Sequence, residues 1–336
     1  MATKRININA ENHAAAIEEA SHILQQGGLV AFPTETVYGL GANALDEKAV
    51  AKVFEAKGRP SDNPLIVHVA AIDMVTQFVL EIPDKGVTLA REFWPGPLTL
   101  VLKRRQNVPN LVTAGLETVA MRVPNHPVTL ELLKKFNGGI VGPSANTSGK
   151  PSPTTADHVY HDLHEKIEMI LDAGPTVIGV ESTVIDVTVD PPVILRIGGL
   201  SREKIEATIG EIHWTNSEDL LKRSPGTRHR HYAPNARVVL FRKEDTGAFN
   251  ALIHREKKSK NKIGAITYSK NLREIEATST HITLESSVEY FARNLFRAIR
   301  ELDRMEVDVM LIESVDETGL GAAVMDRLRK AAYHSN

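Results

Sequence analysis

Short apolar runs alternate with amphipathic stretches through the first two-thirds of the chain, which restricts it to layered helix and sheet, α/β or α+β. Ala14 to Gln26 places Ala16, Ile17, Ala20, Ile23 and Leu24 at helical spacing and stops at Gly27-Gly28. Leu29-Val30-Ala31-Phe32 follows as a buried strand closed by Pro33. The same patterning predicts strands at 65–69, 98–102, 118–122, 140–141, 167–171, 182–187 and 193–196. Helices are expected at 48–56, 72–78, 84–93, 128–136 and 202–209. Between about Glu211 and Pro234 the pattern lapses. It then resumes with strands at 237–241, 262–268, 281–284 and 307–312, an amphipathic helix at 288–304 and a last helix over 322–332.

Charge and residue usage narrow the function classes. The 40 Lys and Arg against 42 Asp and Glu leave a formal charge of −2, which excludes a generic basic coat for nucleic acid. With no cysteine, disulfides, thiolate zinc sites, iron–sulfur clusters and thiol nucleophiles are ruled out. No apolar run has the length of a bilayer span and the first residues lack a secretory pattern. The expectation is no membrane association and a cytoplasmic address.

Stock nucleotide motifs do not fit. Six residues rather than four separate Gly142 from Gly149-Lys150, and Pro151 follows where a phosphate loop needs Ser or Thr. Gly39-Leu40-Gly41-Ala42-Asn43-Ala44 matches a dinucleotide fingerprint in letters, but Pro33 to Tyr38 separate it from its strand. His158, His161 and His164 recur every third residue, with Asp157, Asp162 and Glu165 among them, as a solvated helix face or a metal site would. No G-x-S-x-G elbow is present.

Three polar loops remain. Pro33-Thr34-Glu35-Thr36-Val37-Tyr38-Gly39-Leu40-Gly41 follows a buried strand as a loop and offers two hydroxyls, a carboxylate and a phenol to a small polar ligand, or simply caps a helix. Lys57-Gly58-Arg59-Pro60-Ser61-Asp62-Asn63-Pro64 holds two cations between stiffening prolines, as a phosphate clamp or a solvated pair. Pro143-Ser144-Ala145-Asn146-Thr147-Ser148-Gly149-Lys150 carries groups suited to phosphate or hydrated magnesium, in a composition that also suits an ordinary turn.

In this order the loops resemble the YrdC-type threonylcarbamoyl-AMP synthases. The resemblance runs from Phe32-Pro33-Thr34-Glu35-Thr36-Val37-Tyr38-Gly39-Leu40-Gly41 through Lys57-x-Arg59 and Asn63-Pro64-Leu65 to Ser144-x-Asn146. Trp94-Pro95-Gly96-Pro97, Glu181-Ser182-Thr183-Val184, Leu195-Arg196-Ile197-Gly198-Gly199 and His231-Tyr232-Ala233-Pro234 extend it over nearly the whole chain, in the long form with an added C-terminal domain.

The resemblance implies an α/β fold: a twisted mixed-sheet YrdC-like catalytic domain over 1–210, a structured linker over 211–235 and a smaller C-terminal α/β domain over 236–336. It implies joining of L-threonine, bicarbonate and ATP with Mg2+, yielding threonylcarbamoyl-AMP and pyrophosphate for tRNA modification. The adenylate would pass to an accepting tRNA-modification machinery, with a weak RNA contact as a further expectation. Carried over by motif, Thr36, His68, Arg122 and Ser182 bind threonine. Arg59, Asn63, Ser144, Asn146, Ser152, Arg196 and Tyr232 bind ATP, and Lys57, Arg59, Ser144 and Asn146 act in catalysis. Magnesium would be held mainly by phosphates, with Ser144 or Asn146 assisting. Arg228, Arg230 and Tyr232 are expected to fold over the nucleotide as a lid, although Thr227 and His229 depart from the usual linker pattern. The alternatives are an RNA-binding module without catalysis using Lys103-Arg104-Arg105, a carbamoyl-transferring maturation enzyme, and an interaction scaffold.

Overall fold

A computed structural model of the chain describes residues 2–214, 222–224, 232–242, 246–268, 280–284 and 287–333. It divides into two compact units. Gly149–Pro151 and Ile178–Val180 group with the described residues from Tyr232 onward, and the remainder forms the first unit.

The first unit is built on a mixed sheet whose strands run β1 (Lys4–Asn7), β2 (Val30–Phe32), β3 (Gly39–Asn43), β4 (Ile66–His68), β5 (Leu98–Lys103) and β6 (Thr118–Arg122). They continue as β7 (Ile140–Val141), β8 (Met169–Asp172), β9 (Thr183–Asp186), β10 (Val193–Arg196) and β11 (His213–Trp214). Their spatial order is β1-β8-β2-β3-β7-β4-β6-β5-β9-β10-β11. Parallel pairs (β4 with β6, β5 with β9) sit beside antiparallel ones (β2 with β3, β5 with β6), as the mixed-sheet expectation requires.

Strand alternation separates two faces. Ala31, Leu40, Val67, Leu100, Met121 and Ile185 belong to the main core. On the other face, α1 (His13–Gln25) and α5 (Pro127–Phe136) cover Val30, Phe32 and Ile140. Next along that face lies a small apolar group, Ile66, Val101, Ala120, Val184, Val193 and Leu195. Two residues on from Ile66, Ala120 and Val101, the same side of the sheet carries His68, Arg122 and Thr99. The candidate site is on this second face.

Three strands escape the sequence reading, among them the two-residue β11 in the stretch where the pattern lapses. Lys4–Asn7 is short and exposed or half-buried, so it lacks an apolar pattern. Gly39–Asn43, read as loop, is a strand paired antiparallel to β2. A Cβ on Gly39 would stand 2.7 Å from Phe32 Cζ, so glycine is what lets the Phe32 ring lie across the neighbouring strand. This replaces any dinucleotide reading of Gly39 and Gly41. The expected helix over 72–78 is a 3₁₀ turn, Asp73–Gln77.

The second unit carries a parallel sheet in the order β12 (Arg237–Phe241), β15 (Val309–Glu313), β13 (Ile263–Thr267), β14 (Thr280–Thr283). Its helix Val288–Arg304 buries the stripe that the spacing predicts, Phe291, Leu295, Ile299 and Leu302, and Phe296 beside it. The fold is therefore α/β in both units.

Candidate functional site

The Pro33–Tyr38 loop is set by its own hydroxyls. Thr34 Oγ1 accepts from the amides of Thr36 (3.1 Å) and Val37 (3.2 Å) and donates to Val37 O at 2.6 Å. Its proton being committed there, the 2.8 Å contact between the two threonines runs from the Thr36 hydroxyl to Thr34. Thr36 Oγ1 in turn accepts from Arg122 Nη1 at 3.0 Å. With its proton given to Thr34, Thr36 Oγ1 is left as an acceptor. The Tyr38 phenol, one of the groups expected to face a small polar ligand, instead donates to Gly174 O at 2.7 Å.

Arg122 ends β6 and is register partner to His68 at the end of β4. Its Nε donates to Gly96 O at 3.2 Å, and Nη2 lies 2.8 Å from Glu35 Oε1, with both side chains about 5% exposed or less. The His68 imidazole stands edge-on to Phe32, centroids 5.6 Å apart. Burial first, and the Arg122 charge second, push it down to about 3, so the ring is neutral at ordinary pH. His126, half-buried at the start of α5, is lowered by burial and opposed by the charge of Glu35. The Glu35 carboxylate was offered to a small polar ligand by the sequence but was not placed in the threonine or ATP set, and His126 was not singled out. Glu35 lay inside the quoted motif, whereas nothing local marks His126.

The helix α2 (Glu47–Lys57) delivers the cations. Asp46 caps it by accepting from Lys48 N and Ala49 N, worth about 1 kcal/mol. Gly58, at φ 60°, turns the chain out through the left-handed region. Lys57 is therefore the last helical residue, and its buried ammonium donates to Ser144 O at 2.5 Å and Asn146 O at 2.7 Å. Arg59 follows the turn and donates from Nη2 to Asn63 O and Pro64 O, with its guanidinium 5.9 Å from the Phe54 ring centre. The Ser144–Asn146 segment is tied to the first loop: Ser144 bridges Gly39, and Ala145 N donates to Tyr38 O at 2.8 Å.

Ser182 and Arg196 form a second buried pair: the guanidinium donates to Ser182 O from Nε at 3.1 Å and from Nη2 at 3.0 Å, and Ser182 Oγ contacts Thr99 Oγ1 at 2.8 Å. Ser152 donates to Glu181. Gly198 packs so closely on this strand that a Cβ would meet Glu181 O at 2.2 Å. Tyr232 belongs to the second unit, where its buried ring stacks on Phe296, centroids 5.4 Å apart, with the Arg327 guanidinium 5.3 Å from its centre. Thr227, Arg228, His229 and Arg230 lie outside the described residues.

The structure thus brings Thr36, His68, Arg122 and Glu35 together, and Lys57 with the Ser144–Asn146 loop, around one short polar segment. His158 and His164 are engaged locally, with Thr154 N and with Tyr160.

Two family models match the chain. One for Sua5, YciO and YrdC proteins, described as "Telomere recombination", covers residues 22–198; one described as "Threonylcarbamoyl-AMP synthase, C-terminal domain" covers 200–333. A threonylcarbamoyl-AMP synthase of Pyrococcus abyssi is 50% identical over 97% of each chain, and one of Bacillus subtilis 43% identical over 99% of this chain and 98% of its own. A crystal structure of Pyrococcus abyssi Sua5 complexed with L-threonine superposes with a TM-score of 0.93 at 48% identity, over 100% of this chain and 98% of that one. Fold and site together define a YrdC-like α/β domain joined to a Sua5 C-terminal domain. The chain belongs to the threonylcarbamoyl-AMP synthase family and is an enzyme of the nucleotidyltransferase type.

Proposed function

We propose that the chain condenses L-threonine, bicarbonate and ATP into threonylcarbamoyl-AMP and pyrophosphate for tRNA threonylcarbamoyladenosine modification, in the cytoplasm. The observation that carries this reading is the convergence of Thr36, His68 and Arg122 on one buried face, in a chain so closely related to named synthases. Arg122 is the carboxylate partner, because a planar guanidinium grips two oxygens. Thr36 accepts from the amine or hydroxyl, and Ser182 completes the threonine set. The threonine nitrogen attacks the bicarbonate carbon; a C–N bond forms, water leaves, and the carbamate oxygen then displaces pyrophosphate at the α-phosphorus. Lys57 and Arg59 supply positive charge beside the phosphates, with Asn63, Ser144, Asn146, Ser152 and Arg196 shaping the nucleotide site.

Among the described residues no three His, Asp or Glu side chains gather as a metal cage. Magnesium would come in on ATP, with the Ser144 hydroxyl or the Asn146 amide oxygen as the protein-side ligand. When bound, the metal neutralises phosphate charge.

The RNA-binding alternative is weakened by its own cations. Lys103 pairs with Glu81 at 3.7 Å and Arg104 with Glu117 at 3.2 Å, and Arg105 donates to Thr76 O and Val79 O. No helix among the described residues is long and apolar enough to cross a membrane. The test is pyrophosphate release with ATP, magnesium, bicarbonate and L-threonine, each omitted in turn. Dependence on both threonine and bicarbonate, lost in Arg59→Ala, supports the synthase. Release with neither means a simple ATP hydrolase. No release with intact RNA binding favours the binding module.

A further inference from the structure

Glu35 and Arg122 form a buried ion pair whose hydrogen-bonding capacity is incomplete. The oxygen and nitrogen approach to 2.8 Å, yet neither Glu35 oxygen nor Arg122 Nη2 makes an aligned hydrogen bond with any described residue. Arg122 Nε and Nη1 are engaged by Gly96 O and Thr36 Oγ1, so the unmet donors are concentrated on the nitrogen beside Glu35. Burying two charges is unfavourable unless their remaining lone pairs and protons are satisfied. A pair serving packing alone would be expected to close its own hydrogen bonds.

The geometry matches a ligand that carries both charges on adjacent atoms. An α-amino acid zwitterion presents a carboxylate and an ammonium on one carbon, and here a guanidinium and a carboxylate stand side by side in the reverse sense. Thr36 Oγ1, which accepts from Arg122 and whose proton is committed to Thr34, adds a second acceptor at the same place.

We propose that Glu35 is a substrate-binding residue of the amino-acid site: its carboxylate accepts an N–H from the α-nitrogen while Arg122 takes the α-carboxylate. This rests on the threonine reading above and adds the group that recognises the nitrogen. The nitrogen carries at least one N–H as ammonium, as amine and as carbamate, so one acceptor serves at every stage. In the neutral amine, fixing an N–H on Glu35 also restricts the lone pair to the two remaining directions.

The test is calorimetric titration of the full chain at pH 7.5, with a non-hydrolysable ATP analogue present. The ligands are L-threonine and (R)-3-hydroxybutanoate, which has hydrogen in place of the amine and so offers no donor at the α carbon. Wild type should prefer threonine by roughly tenfold or more, the scale of a charge-assisted hydrogen bond. Glu35→Gln should weaken threonine by about that factor and leave 3-hydroxybutanoate within about twofold. Equal affinity of wild type for the two ligands overturns the proposal without any variant. So does Glu35→Gln that weakens both alike, which would mean that Glu35 only holds Arg122 in place, or that binds threonine as wild type does. Wild type that binds neither ligand instead sinks the threonine reading itself.

Discussion

His68 and Arg122 are register partners at the last residues of β4 and β6, both buried on one face of the sheet. Burial first, and the Arg122 cation second, keep the His68 imidazole uncharged, so it places no second cation beside Arg122. The consequence for pH has a definite sign. The unfolded chain binds a proton at His68 below the ordinary 6.5, whereas the folded chain does so only near 3. Stability therefore falls as pH drops through that window and is unaffected by this group above it. Between pH 7.5 and 5, wild type should lose about 2 kcal/mol more than His68→Gln. Urea midpoints at the two pH values measure the difference; equal losses would show that the ring protonates freely in the fold.

Lys57 acts on the backbone of a loop distant in sequence. Replacing it with Met keeps the aliphatic stem and removes two charge-assisted bonds, leaving the carbonyls of Ser144 and Asn146 without that donor. We expect a loss of about 3 kcal/mol in stability and faster amide exchange over 145–148, together with a fall in pyrophosphate release. Unchanged exchange in that loop, with activity lost, would mean that the ammonium serves the nucleotide alone.

The parts of this site that were legible in sequence are those written in contiguous letters. Thr36, Lys57, Arg59, Ser144 and Asn146 stand in loops whose order carried the resemblance. His68 and Arg122 sit on short strands, β4 being only three residues long, where alternation is too brief to separate a site face from a core face. β3 was hidden because its two glycines lower strand propensity, while their reason for being there, the Phe32 ring, lies on the partner strand. Lys57 was legible as a cation for a phosphate clamp or a solvated pair, but its bonds to the Ser144 and Asn146 carbonyls were not, because those partners are 87 and 89 residues away, a separation that no local pattern encodes. Glu35 was visible as a carboxylate in a motif, but its partner Arg122 became visible only with the fold.

Tyr232 holds a left-handed backbone, φ 62°, that a non-glycine residue adopts at some cost. Its ring between packed neighbours supplies the compensation: Phe296 stacks on it at 17° and Arg327 adds a cation–π contact. Tyr232→Ala should destabilise the second unit by about 3 kcal/mol. Thermal unfolding followed by near-ultraviolet circular dichroism would detect this. Loss of nucleotide binding in that variant with no change in unfolding would assign the ring to ATP and not to packing.

Gly39 offers a prediction that includes its own rescue. A methyl group there would lie 2.7 Å from Phe32 Cζ and 2.9 Å from Cε2, well inside contact distance. The Phe32 ring cannot simply withdraw, since it is buried and meets His68 edge-on. Gly39→Ala should therefore cost about 1–3 kcal/mol by overpacking and disturb the threonine site through His68, raising the KM for threonine more than that for ATP. Phe32→Leu alone leaves a cavity and is also destabilising, by about 1–2 kcal/mol. Combined, the two changes relieve each other, because the shorter side chain vacates the volume that the new methyl needs. The double variant should be more stable than the sum of its parts by at least about 1 kcal/mol. Strict additivity in denaturant unfolding would mean that the strand pair accommodates the methyl by shifting backbone, and that Gly39 is not held to glycine by the ring.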